Sequence, residues 1–165
     1  MNKKHKEIVE YWVATHDEFD LGVDWAEAHK RCWRCAYKTS LQKCHIVPNS
    51  LGGADHPSNL VLLCSRCHRE ATNHTNPKYM WIWLKETCVP FYDVYWTQRG
   101  FDEFEKIFKR KPFSNLDTSK IHLHEVNNML QEELKKTTVH WGEGRLNPST
   151  IACILAEIEE RLAQS

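Results

Sequence analysis

Cys32-Trp33-Arg34-Cys35 and Cys64-Ser65-Arg66-Cys67 bracket a segment that reads Cys44-His45-Ile46-Val47-Pro48, then Gly52-Gly53, then Asn59-Leu60, and His68 follows directly on the second pair. Two pairs of thiolates, each spaced two residues apart, can grip one tetrahedral Zn²⁺ with Cys32, Cys35, Cys64 and Cys67 as its ligands. Such an ion would staple together the ends of a stretch that carries His, Asn and His in order. The zinc is then scaffold, and the enclosed residues carry the chemistry. Four buried thiols without metal are the alternative, but two CxxC pairs rarely arise through packing alone.

Working outward, the rest of the 165-residue chain is long enough for one compact unit with a core but hardly for two large domains. Seven cysteines, an odd number with four in CxxC pairs, suit metal binding in a reducing compartment better than a disulfide framework. Cys88 and Cys153 are then expected to be buried thiols. Neither a long apolar run nor a charged-then-apolar amino terminus is present, which argues against membrane insertion and secretion and for a cytoplasmic protein. Net charge is zero, so the distribution of charge says more than its sum. Lys30, Arg31, Arg34, Lys38 and Lys43 occur with no acid between His29 and His45, and Arg66, Arg69 and Lys78 continue the basic character beyond the motif. A later cluster, Lys106, Lys109, Arg110 and Lys111, reads either as more of a phosphate-tracking surface or as a solvated face.

Ile8, Tyr11 and Trp12 form a short apolar stripe on an expected helix over residues 3 to about 14. Asp24 can cap a second helix that reaches about residue 30 and delivers the chain to Cys32. Residues 39–47 look extended, Pro48 stops them, Gly52-Gly53 and Pro57 mark a loop, and Leu60-Val61-Leu62-Leu63 is a short apolar strand. A second zinc turn at Cys64 to Cys67 then opens a helix expected to run to about residue 73. Strand, loop, strand, zinc turn and helix make a ββα unit. Farther on, Phe101, Phe104 and Phe108 sit at i, i+3, i+7 and signal packing before base stacking. Helices are expected over residues 118–136 and from Asn147-Pro148, a good N-cap and N1 pair, with Ile151, Ile154, Leu155, Ile158 and Leu162 as the stripe.

Hydrolysing a phosphodiester requires a nucleophilic water, a cation against the charge that builds on phosphate, and help for the departing oxygen. A neutral imidazole titrates near physiological pH, so His45, at the end of the first strand, is the natural general base. Asn59, just before the second strand, is placed to bond across the loop and hold the backbone that carries His45; a plain turn or capping role is the alternative. His68 follows Cys67 on a helix where successive side chains diverge by about 100°. Cys67 can therefore face zinc while His68 faces the hairpin as ligand to a second, catalytic ion. His74, six residues on, points about 240° away and is the poorer candidate. His56 lies in the Gly-rich loop and reads as a solvent-exposed histidine or a phosphate contact, while His122, His124 and His140 lack ligand-like partners and read as ordinary.

At these residues, over roughly 32–74, the chain resembles the zinc-bracketed HNH endonucleases, members of the ββα-metal or His-Me finger nucleases. The resemblance rests on both CxxC pairs, His45-Ile46-Val47-Pro48, Gly52-Gly53, Asn59-Leu60 and Leu63-Cys64 through Cys67-His68. It implies cleavage of DNA through one catalytic divalent ion, with His45 as base, Asn59 as orienting residue and His68 as metal ligand. The 28 residues between Cys35 and Cys64 exceed the roughly 15 to 20 of an ordinary zinc ribbon, and an inserted catalytic hairpin accounts for the excess.

One position departs from the family pattern. Where such nucleases usually place Asp or His immediately before the base, as the other ligand, this chain has Cys44. A thiolate suits Zn²⁺, Ni²⁺ or Mn²⁺ better than Mg²⁺. Cys44 is therefore either a ligand to a softer ion or a non-ligand that weakens the site, and the runner-up function is a zinc-containing nucleic-acid-binding module without turnover. The expected architecture is α+β: a zinc-stapled ββα nuclease core over residues 31–78, a helical segment over 1–30 and a helical extension over 79–165 that could support a homodimer. DNA is the expected partner, ahead of RNA and without a membrane, and Arg34, Lys38, Lys43, Arg66 and Arg69 are the expected phosphate contacts.

Overall fold

The computed structural model describes residues 3–15, 21–117, 119, 121–139 and 146–164. They divide into two compact units, residues 1–95 and 96–165. No described helix is long and apolar enough to cross a membrane.

In the first unit, α1 (Lys3–Val13) precedes a two-stranded antiparallel sheet of β1 (Gln42–His45) and β2 (Leu60–Leu63), followed by α2 (Ser65–Glu70) and α3 (Lys78–Thr87). The register pairs Gln42 with Leu63, Lys43 with Leu62, Cys44 with Val61 and His45 with Leu60. All four residues of β2 are buried, which explains an unbroken apolar run where a half-exposed strand would alternate. α1 packs on that strand through Ile8 and Trp12, both buried, and the Trp12 indole N–H donates to the Leu60 carbonyl at 2.8 Å. Trp12 also meets Trp81 of α3 edge to face at 4.7 Å, so helices from both sides of the motif close over the hairpin.

The helix expected from Asp24 does not form. Residues 24–31 wind through successive turns, with Glu27 N–H on the Asp24 carbonyl and Lys30 N–H on that of Glu27. The Ala28 carbonyl, which a helix ending near residue 30 would leave without a ladder partner, accepts from the buried Trp33 indole at 2.8 Å. Residues 79–95, assigned by composition to the later extension, pack within the first unit: Arg31 lies over the Tyr92 ring, and Arg34 lies over the rings of Trp83 and Tyr95.

The second unit holds α4 (Tyr95–Phe108, starting at the last residue of the first unit), α5 (Leu123–Lys135) and α6 (Pro148–Ala163). The Asn147 carboxamide caps α6 by accepting from the Thr150 N–H at 2.8 Å, with Pro148 at the first helical position. A methyl group on Gly100 would fall 2.2 Å from the Ile151 side chain, so this glycine permits close approach of α4 and α6. Of the phenylalanine stripe, Phe104 is fully buried and Phe108 is exposed. Arg110 pairs with the buried Glu159 and Lys106 with Glu103, which makes these two cations of the later cluster partners of acids in their own unit. Cys88 is half-buried and Cys153 exposed, against the expectation of two buried thiols; Cys153 falls on the solvent side of α6, between inward-facing Ala152 and Ile154. Thr118, Lys120 and His140 lie outside the described residues.

Candidate nuclease site

The four motif cysteines converge. Their sulfurs all lie within 4.8 Å of one another and all four residues are buried. Cys35 Sγ and Cys64 Sγ are 3.8 Å apart, and tetrahedral Zn–S bonds of about 2.3 Å put neighbouring sulfurs about 3.8 Å apart, so the donor set fits a zinc ion. Local chemistry builds both halves of the cradle. The first pair sits in a turn closed by Ala36 N–H on the Cys32 carbonyl and Cys32 N–H on that of Tyr37, with Ala36 in the left-handed region at φ 60°. The second pair is a helix start, in which Cys64 caps α2 by accepting from the Cys67 N–H. Trp33 N–H donates to the Leu62 carbonyl, tying the first turn to the strand that leads into the second.

Between these turns the hairpin loop is pinned by Asn59. Its side-chain oxygen accepts from Val47 N–H at 2.9 Å, its nitrogen donates to the Val47 carbonyl at 2.9 Å and the Ala54 carbonyl at 3.0 Å, and its own carbonyl accepts from Ile46 N–H. Ile46 and Val47 directly follow His45, so the backbone that aims this imidazole is held by one residue. Gly52 turns the loop in the left-handed region at φ 89°. Gly53 allows the approach, because a Cβ there would lie 1.8 Å from the Val47 carbonyl oxygen and 2.7 Å from the Asn59 amide nitrogen.

His45 ends β1 with its ring partly exposed. Its Nε2 is shut off from solvent without a hydrogen bond, 3.7 Å from Asp55 Oδ1. That carboxylate also accepts from Lys43 Nζ at 3.0 Å, and the Lys43 ammonium holds the Asp55 carboxyl below the usual range. His68, half-buried on α2, points its Nδ1 at the Gln42 side-chain oxygen, 2.8 Å away at the start of β1. Burial, and next the nearby His45, lower the His68 pKa from its ordinary 6.5, which favours the neutral ring that binds metal. His74 meets Tyr79 edge to face, and His56 caps the short turn Pro57–Asn59 through Nδ1.

Cys44 is 3% exposed, and burial pushes its thiol up to about 12. Among the described residues, Cys44, His45 and His68 do not form a second multi-ligand cluster beside the four-cysteine one.

Two of the expected phosphate contacts are corrected. Arg34 is 3% exposed, bonded to Glu70 at 2.7 Å and Thr87 at 2.8 Å and sandwiched by aromatic rings, so it holds the core together. Arg66 is 8% exposed. Lys38 and Arg69 are exposed, and Lys43 faces Asp55. Gln42 and Asp55 meet His68 and His45, respectively, only through the fold. The one available signal for Asp55 was its being the first acid after His45; Gln42 offered none, because its contact joins a strand to a helix 26 residues on.

Residues 30–74 match the model of the HNH endonuclease family. That span contains both cysteine pairs, the hairpin and His68. Comparison with the curated proteins and with the solved structures gave no match. The domain match and the cysteine cluster together point to a nuclease or nucleic-acid-binding role with a zinc-compatible scaffold.

Proposed function

We propose that this protein is a metal-dependent endonuclease that hydrolyses DNA phosphodiester bonds. The observation that carries the reading is the grouping of His45, its backbone clamp Asn59 and a half-buried His68 on a hairpin and helix stapled by four cysteines, within a segment matched by the HNH model. His45 takes the proton from the attacking water. Because its Nε2 is closed off from solvent against Asp55, Nδ1 is the nitrogen that receives it. Asn59 keeps the ring aimed by fixing Ile46 and Val47. His68 holds the divalent ion, which when bound neutralises charge growing on the phosphate and steadies the leaving oxygen. Lys38 and Arg69 position the strand through phosphates without reading sequence.

A second reading has a specific observation behind it: the residue before the base is the buried Cys44, not an open carboxylate or imidazole. With fewer ligands, the chain would bind nucleic acid without cutting it. Incubating supercoiled plasmid with the protein and each of Mg²⁺, Mn²⁺, Ni²⁺ and Zn²⁺, beside His45→Ala, separates the two. Nicking that needs both an ion and His45 is the expected result; binding without nicking under every ion supports the module instead. A parallel RNA substrate tests the choice of nucleic acid.

A further inference from the structure

Gln42 carries no charge, belongs to neither cysteine pair and stands three residues before the proposed base. Its side-chain oxygen nevertheless lies 2.8 Å from His68 Nδ1, a contact that crosses from the first residue of β1 to α2. A carboxamide oxygen can only accept, so the proton of a neutral His68 ring is placed on Nδ1 and the lone pair is left on Nε2. An imidazole that binds metal through one nitrogen almost always donates from the other, and the acceptor fixes both the tautomer and the ring plane.

We propose that Gln42 is a positioning residue for the catalytic ion, which holds His68 as the Nδ1–H tautomer and presents Nε2 as the metal ligand. The inference rests on the assignment of His68 as the ion-holding residue and adds the group that aims it. It also supplies a reason for a polar residue at the start of β1, whose partner in the register is the buried Leu63.

The test uses the full chain loaded with structural zinc. In protein without added catalytic ion, ring ¹⁵N shifts of His68 should report the Nδ1–H tautomer; a dominant Nε2–H tautomer overturns the proposal. Calorimetric titration with Mn²⁺ should then show Gln42→Leu binding about 10- to 100-fold more weakly than the parent, with Gln42→Glu, which restores an acceptor, at parental affinity or tighter. Gln42 is exposed, so both variants should fold, and a circular dichroism melt verifies this. Mn²⁺ affinity that depends on His68 but is unmoved in Gln42→Leu overturns the inference alone. Affinity unmoved by both His68→Ala and Gln42→Leu removes the inference together with its premise. Loss of plasmid nicking with the tautomer and affinity pattern intact would leave the inference standing and count only against the nuclease reading.

Discussion

The carboxamide of Asn59 meets both backbone polar groups of Val47, accepting from its N–H and donating to its carbonyl, each at 2.9 Å. A side chain thereby takes the part of a strand residue: it continues the β1–β2 pairing two residues past His45 into the loop. No hydrophobic contact could fix the azimuth of that backbone so tightly, because packing tolerates small slides and a two-point hydrogen bond does not.

Disturbing this clamp should therefore cost activity and stability together. Asn59→Ala leaves the Val47 groups without their partner and should destabilise by about 2 kcal/mol. Gly53→Ala should cost at least as much, since its methyl group meets the Val47 carbonyl and the Asn59 amide at distances that force the loop to move. Urea unfolding with a parallel nicking assay checks both. A Gly53→Ala protein of parental stability would show that the loop yields freely.

Arg34 and Lys38 stand four residues apart in one basic run yet should behave oppositely. Arg34→Lys forfeits the ring-stacked guanidinium and its bonds to Glu70 and Thr87, and should lower stability by about 2 kcal/mol. Lys38→Ala should leave the melt unchanged and weaken DNA binding uniformly across sequences, with a shallower salt dependence. Fluorescence anisotropy at two ionic strengths, beside thermal melts, distinguishes them.

If Cys44 is a packing residue, Cys44→Ala should leave the order of preference among divalent ions unchanged while costing about 1 kcal/mol for the small cavity. A plasmid assay across Mg²⁺, Mn²⁺, Ni²⁺ and Zn²⁺ reads this out. A switch of preference toward Mg²⁺ in Cys44→Asp, with Cys44→Ala inactive under every ion, would instead make position 44 a ligand.

The pH behaviour of His68 has a definite sign. Burial first, and the His45 charge second, hold its folded pKa below 6.5. Above that pH both folded and unfolded chains carry a neutral ring, so the group is without effect on stability. As pH falls through 6.5 toward the folded value, the unfolded chain takes up a proton that the folded one refuses, and stability is lost. NMR titration of the His68 ring in ion-free protein should give a midpoint below 6.5, and His45→Gln should raise it. A parental midpoint at or above 6.5 would contradict this account.

The zinc-compatible staple and the hairpin strands were legible in the chain itself, because each depends on local spacing. CxxC sets two sulfurs on one turn, four apolar residues after a loop make a buried strand, and Asn147-Pro148 opens a helix wherever it stands. The turns in place of a helix after Asp24 were not legible, and the Trp33 indole that bonds the Ala28 carbonyl comes from outside the segment. The fate of the basic run was not legible either. Arg34 and Lys38 look alike in sequence, and only the aromatic rings and Glu70 brought over from residues 70–95 decide that one is core and the other surface. The pairings of Gln42 with His68 and of Asp55 with His45 belong to the same class. Sequence determines which groups are available and how the chain turns near them, whereas a contact across a hairpin or between a strand and a helix depends on where distant backbone is placed, and packing alone settles that.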